Sequence, residues 1–418
     1  MKRNNYCLSC EPEYIVNSEF LTAIQHLDVK NVFIYVGDAV RWDAVPDSVS
    51  KQGSTVKTIA ASTHSPSSFA SIATGLYTPV HGVSMFSHQL PNEVYTIFDT
   101  VDESQFVNSI FAFADREHGE TTDPIYSVLN REPPDSDIQL ADLSEPFVFM
   151  ERGPGGHAPY GDFRGAATDY FREVTDEQTL RSDYQRSISL DASVFEKRLA
   201  ELEGSGLRDD TLVIYTSDHG ELLGEGGMLG HSSPMRPELV YVPTVLIHPD
   251  IPNVIIKQDP YHHVDILPTV LDVLGLEQGS ETQLDGSPVS DGVGAGPRPS
   301  VYNNQFPTAK FPYISGHLHY EGAWNTTGGY TFARTPLVER FAILLAKLAA
   351  SSKRKFLWKH LHQNVISYVR SIVEYGTPSF SSTKAEQVVS QSTSHTHDTS
   401  RVELSDSAQQ QLQNLGYQ

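Results

Sequence analysis

Cysteine is nearly absent from this chain: its 418 residues hold two, Cys7 and Cys10, spaced C-x-x-C. A zinc ribbon needs a second such pair, and there is none. Two incidental thiols in a mobile N-terminus account for them better than a redox or metal role does. Positive charge is also scarce, with 30 basic residues against 52 acidic ones and a net charge of −22. That argues against DNA or RNA as a partner, because a phosphate backbone calls for a basic surface. A solvated, salt-adapted surface, with arginine outnumbering lysine, explains the acidity. No apolar run approaches the roughly 20 residues of a membrane span. The opening MKRNNYCLSCEPEYIVNSEF lacks the apolar centre of a secretory signal. The expected location is the cytoplasm.

What is present is a set of short apolar runs that read as buried strands. They are NVFIYVG from Asn31, PFVFMERG from Pro146, TLVIYTSDHG from Thr211 and TVLIHP from Thr244. Helical patterns lie between them: SFASIATGLY after Ser67, a long stretch from Asp183 that stops at Gly204 and Gly206, and HVDILPTVLDVLGL from His263. Strands alternating with helices predict an α/β fold, a three-layer α/β/α sandwich around a largely parallel sheet, with a C-terminal helical extension. In such sheets ligands bind at the carboxyl ends of the strands, where Asp38 and Asp218 fall. The expected organisation is an N-terminal extension over 1–28 and a catalytic domain over 29–334. A basic amphipathic helical segment follows over 335–378, then a disordered Ser/Thr/Gln/His-rich linker over 379–400 and a C-terminal helix over 401–418.

Four motifs carry candidate chemistry: GDAVRWD with Asp38, THSPSSFASIATG from Thr63, GGHAPYG with His157, and TSDHGELLGEGGMLGH with Asp218, His219 and His231. Singly each is weak, since a strand-end aspartate often caps a helix. In this order, and followed by VDILPT, LDGSPV and LQNLGY, they resemble the sulfatase-like branch of the alkaline phosphatase superfamily. That resemblance covers about residues 30–290 and the last fifteen. It implies one divalent metal ion (Ca, Mn, Mg or Zn) on Asp38, Ser65, Asp218 and His219, with Ser65 as nucleophile and His157 and His231 on the substrate side. Carboxylates with imidazole suit such hard to borderline cations. The cation would offset the charge of a sulfate or phosphate ester and lower the pKa of a coordinated hydroxyl.

Register decides the nucleophile. Anchoring the family pattern on Thr74 and Gly75 places Ser65 at the reacting position, with Thr63 as the competitor. Ser67 and Phe69 stand where the family has proline and arginine. Sulfatases that convert this residue to formylglycine need both, so Ser65 is expected to be an unmodified hydroxyl. A second metal site calls for D-x-x-x-H before the Asp–His pair. Gly153 lies four residues before His157, and Asp259 and His263 come too late in the chain, so one metal is expected. Arg41 is either scaffold, paired with Asp43, or a substrate contact. The expected activity is hydrolysis of sulfate or phosphate esters, of small molecules or glycans, through a covalent intermediate on Ser65. The alternatives are transfer of a phospho group on glycans or lipids, and a degenerate protein that only binds such ligands.

The segment 336–375 reverses the local sign of charge. Arg340, Lys347, Lys353, Arg354, Lys355, Lys359 and Arg370 face the single acid Glu339 before Glu374. Such a helix either docks on the acidic catalytic domain or makes peripheral contact with an anionic membrane. The oligomeric state is left open.

Overall fold

The computed structural model describes residues 18–110, 123–135, 137–277, 283–292, 296–306, 316–392, 397, 399–406, 408–409 and 412. Cys7, Cys10 and most of the LQNLGY ending lie outside the described residues. Along the chain the strands are β1 (Asn31–Gly37), β2 (Ser54–Ile59), β3 (His88–Gln89), β4 (Glu103–Asn108), β5 (Phe147–Gly153), β6 (Thr211–Ser217), β7 (Tyr241–Ile247), β8 (Ile255–His262), β9 (Arg298–Gln305), β10 (His317–Asn325), β11 (Gly328–Ala333), β12 (Ile372–Gly376) and β13 (Ser400–Arg401). Seven form the central sheet in the order β4-β5-β1-β6-β7-β2-β8. All pairings are parallel except those of β7, which runs against β6 and β2.

The sheet is buried on both sides because its strands alternate two apolar sets. Val32, Ile34, Val148, Met150, Leu212 and Ile214 pack on one face, against the helices Ser18–Gln25, Ser65–Thr74 and Ile266–Val273. Phe33, Tyr35, Phe149, Val213 and Tyr215 point the other way, onto the long helix Glu177–Ser205 through Ala192, Phe195 and Leu202. This is the expected three-layer sandwich.

The C-terminal part is more than a helical extension. β12-β11-β10-β9 form a second, antiparallel sheet. In place of one amphipathic helix there are three, Leu337–Ala350, Arg354–Lys359 and Leu361–Val369, followed by β12. The stretch read as a linker contains the helix Ser382–Gln391, whose Ala385 and Val389 pack on Ala323 and Phe332 of the second sheet. Composition alone marks this segment as unstructured, but two small apolar residues four apart suffice to seat a helix on an existing surface. The start of the chain is tied down too, since Phe20 and Ile24, inside the expected N-terminal extension, are buried in the main core. Among the described residues no helix is long and apolar enough to cross a membrane.

In-register pairing sets the functional edge. Gly37 sits opposite Gly153 on β5 and Ser217 on β6, so the residues that follow these three strands emerge at one level. Asp191, from the long helix, ties the three ends together. It accepts hydrogen bonds from Tyr35 (2.8 Å), Tyr215 (2.9 Å) and the Gly155 backbone N–H (2.8 Å). Burial pushes its carboxyl up to about 6, against the pull of these three donors. The folded protein therefore holds this proton at a pH where the unfolded chain, with a pKa of about 4, has released it. Compared with Asp191→Asn, the wild type should lose on the order of 3 kcal/mol of relative stability as pH rises from about 4 to about 7. Denaturant unfolding of both proteins across that range measures it. A difference that does not change with pH contradicts the burial of an ionisable acid there.

Candidate metal-assisted active site

Four of the residues singled out by sequence meet at this edge. Asp38 follows β1, Asp218 and His219 follow β6, and all three are fully buried. One ligand atom from each lies within 4.8 Å of the others, the one such His/Cys/Asp/Glu group found among the described residues. Ser65 opens the helix Ser65–Thr74, with Pro66 in its first turn and Gly75 closing it in the left-handed region. Its Oγ lies 3.1 Å from His219 Nε2. The positive end of the helix dipole favours negative charge at this position. Thr63 Oγ1 is buried two residues earlier and has no hydrogen-bond partner among the described residues.

The hydrogen bonds leave a cradle for a cation. Asp218 Oδ1 accepts the backbone N–H groups of Ala39 and His219, both at 2.9 Å. Asp38 Oδ2 accepts from Arg152 Nε at 3.0 Å and Nη2 at 2.5 Å. The other two oxygens, Asp38 Oδ1 and Asp218 Oδ2, are buried with no hydrogen-bond partner among the described residues. His219 donates Nδ1–H to the Gly220 carbonyl at 2.9 Å, which leaves the Nε2 lone pair facing Ser65 and Asp218 Oδ2, the latter 3.4 Å away. Buried acceptors without donors are costly, and two carboxylate oxygens with an imidazole lone pair and a hydroxyl are a donor set for a divalent cation. Electrostatics agree. Burial, then the charge of Asp38, raises the Asp218 carboxyl. Burial would raise Asp38 as well, but the Arg152 guanidinium against it holds it below its ordinary value.

Arg152 was not legible as a site residue. It is fully buried, and its guanidinium lies 5.4 Å over the Phe69 ring. A guanidinium missing from position 69 is thus delivered to the same helix from the end of β5. Gly155, at φ +54°, presses on the Asp38 backbone, where any Cβ would come within 1.8 Å of the Asp38 carbonyl oxygen.

His157 and His231 line the other side. The His231 ring is 4.4 Å from that of His219 and 5.6 Å from that of His157. His157 donates Nδ1–H to the Ala158 carbonyl at 2.7 Å. Burial drops its pKa to about 4 and takes His231 well below its ordinary value, so both are neutral imidazoles. His231 Nδ1 is 3.2 Å from Glu221 Oε2. Burial raises Glu221 to about 8, opposed by the charge of Lys353. Lys353 comes from the C-terminal helical segment and stands against Gly230, where a Cβ would meet its Nζ at 2.1 Å. The sequence marks Lys353 only as one cation of the basic segment, because its approach to Glu221 and Gly230 joins positions remote in the chain.

Arg41 is scaffold in this structure, paired with Asp43 (2.7 Å) and Glu225 (2.8 Å). His263 is clamped between two backbone groups, with Nε2 at 2.9 Å from the Ser217 carbonyl and Nδ1 accepting from Ala61 N–H at 3.2 Å.

A buried Asp–Asp–His cluster at the strand ends of an α/β/α sheet, with a hydroxyl at a helix start, defines a class, and comparison with known proteins gives it a name. The sulfatase family model matches residues 134–276. The chain is 32% identical over 401 residues, 93% of its own length and 96% of the relative's, to the low-salt glycan biosynthesis sulfotransferase Agl7 of Haloferax volcanii. Its fold is similar to the phosphonate monoester hydrolase of Agrobacterium radiobacter, with a TM-score of 0.55, 15% identity and coverage of 82% of this chain and 96% of that one. A sulfatase-type structure from Bacteroides thetaiotaomicron gives a TM-score of 0.56 at 13% identity, covering 79% and 94%. The chain belongs to the sulfatase family, within the sulfatase-like branch of the alkaline phosphatase superfamily.

Asp218→Asn keeps the Oδ1 acceptor that holds the backbone and replaces the open oxygen with an amide, so it tests the cradle without removing its scaffold. Elemental analysis of protein equilibrated with divalent metals should find about one ion per chain in the wild type, and its loss in Asp218→Asn. Unchanged occupancy would place the ion elsewhere.

Proposed function

We propose that this chain transfers a sulfuryl group to a glycan hydroxyl through a covalent intermediate on Ser65. The observation that carries the proposal is the position of Ser65 Oγ, 3.1 Å from Nε2 of His219, a member of the buried Asp38–Asp218–His219 cluster. The naming of a full-length relative as a glycan biosynthesis sulfotransferase supports transfer and a glycan.

A divalent cation held by Asp38, Ser65, Asp218 and His219 would offset the charge of the ester and favour the ionised Ser65 hydroxyl. Ser65 Oγ forms the new bond to sulfur as the bond to the donor oxygen breaks. The proton of the Ser65 hydroxyl ends on that leaving oxygen. His157, whose Nδ1–H is donated to the Ala158 carbonyl and whose Nε2 is therefore an acceptor, takes this proton and passes it to the leaving oxygen, and neutral His231 hydrogen-bonds the ester oxygens. In the second half the acceptor hydroxyl takes the sulfuryl group and its proton returns to Ser65.

The unmodified serine favours transfer over hydrolysis. Formylglycine sheds sulfate by breaking its own hemiacetal, a route closed to a serine ester. A sulfoserine that resists water persists until an alcohol is positioned against it. Phosphoester hydrolysis is the second reading, favoured by the same serine, because a phosphoserine is released readily.

Purified protein with added metals should transfer label from an aryl sulfate to a glycan acceptor, and donor consumption should rise with acceptor concentration. Ser65→Ala should lower turnover by at least about a thousandfold, while Thr63→Ala keeps most of it. Intact-mass measurement should show Ser65 unmodified. Formylglycine at this position, or inorganic sulfate released at a rate indifferent to acceptor, contradicts the proposal. Turnover of phosphate esters alone would establish the second reading.

A further inference from the structure

Every large hydrophobic side chain that the described residues leave exposed lies between Leu337 and Ile372. On the helix Leu337–Ala350 the pattern is two-sided. Ile343, Leu344 and Leu348 are buried, with Arg340, and pack into the core shared with Leu222, Met228 and the second sheet. Leu337, Phe341 and Leu345, spaced four apart, form an outward stripe flanked by Val338, which is 82% exposed. Trp358, on the next helix, is 57% exposed. The inward face already accounts for docking on the protein, so docking does not explain the outward one. Exposed apolar patches of this kind mark an interaction surface.

The charges around the stripe say what covers it. Arg354, Lys355, Lys359 and Arg370 are exposed on the same segment, and Glu339 is its one acid before Glu374. The chain as a whole carries −22. A second copy seated symmetrically on this patch would bring its cations against their own counterparts, whereas anionic lipid head groups attract them. We propose that the outer face of Leu337–Lys359, with Arg370 and Ile372, is a peripheral docking surface for an anionic lipid bilayer.

The inner side of the same C-terminal segment, including the next helix Leu361–Val369, braces the loop that carries His231. Asn364 donates to the Gly227 carbonyl at 2.8 Å, Lys347 donates to the Ser232 carbonyl, and Lys353 stands against Gly230. Docking would therefore anchor the protein through the elements that hold one wall of its site. This inference does not depend on which group the site transfers.

Co-sedimentation of the full chain at low salt tests it, with vesicles of phosphatidylcholine alone or with about one third phosphatidylglycerol. The wild type should partition onto the anionic vesicles at least about tenfold better than onto the neutral ones, and high salt should weaken that preference. Phe341→Ser with Leu345→Ser, and separately Arg354→Glu with Lys355→Glu, should each lower partitioning by about tenfold or more with unchanged circular dichroism. Wild-type protein that stays in the supernatant at low salt overturns the proposal, a result that needs no variant to fold. So does binding indifferent to both pairs of substitutions. A wild-type dimer in sedimentation velocity, dissolved by Phe341→Ser with Leu345→Ser and without vesicle binding, would instead assign the patch to a second copy of the chain.

Discussion

Two aspartates sharing one buried pocket is the constraint around which the site is arranged. Asp38 and Asp218 are both fully buried at the strand ends, and burying two like charges together is expensive. The fold compensates each carboxylate on one side only. Arg152 holds Asp38 Oδ2, and two backbone N–H groups hold Asp218 Oδ1. The remaining oxygens have no hydrogen-bond partner among the described residues, and that of Asp218 lies 3.4 Å from His219 Nε2. A site so compensated remains short of positive charge, and its buried carboxylate and imidazole donors suit a divalent cation.

The surrounding architecture serves to keep this half-compensated pair in place. Asp191 fastens the ends of β1 and β6 to the loop after β5, and Gly155 lets that loop lie on the Asp38 backbone. The helix that begins at Ser65 is buried along its whole length, so its first hydroxyl has little freedom to move. On the far wall His231 is supported by Glu221, and the loop beneath it by residues more than a hundred positions later in the chain. The C-terminal helices are thus part of the site's support.

Sequence reading reached the central sandwich and the cluster because both are local signals. Apolar runs ending in glycine mark parallel strands, and Asp38 and the Asp218–His219 pair sit directly at such ends. Ser65 is reached only by register along its helix, and its hydroxyl lies 3.1 Å from His219 Nε2. What was not legible depends on long-range packing. Arg152 reads as one charged residue at a strand end until Phe69 is seen beneath it. The helix Ser382–Gln391 hides in a polar stretch because only Ala385 and Val389 anchor it. The second sheet escaped because β9 to β12 lack the continuous apolar runs of the central strands, being covered less completely on their two faces.

If Ser65 carries the transferred group, it should be found modified before the acceptor arrives. The direct measurement is peptide mass spectrometry after incubating the metal-loaded protein with an activated sulfate ester and no acceptor. A sulfuryl adduct on Ser65, discharged when a glycan acceptor is added, is the predicted result. An adduct on Thr63, or turnover to a sulfated glycan with Ser65 never modified, would contradict it.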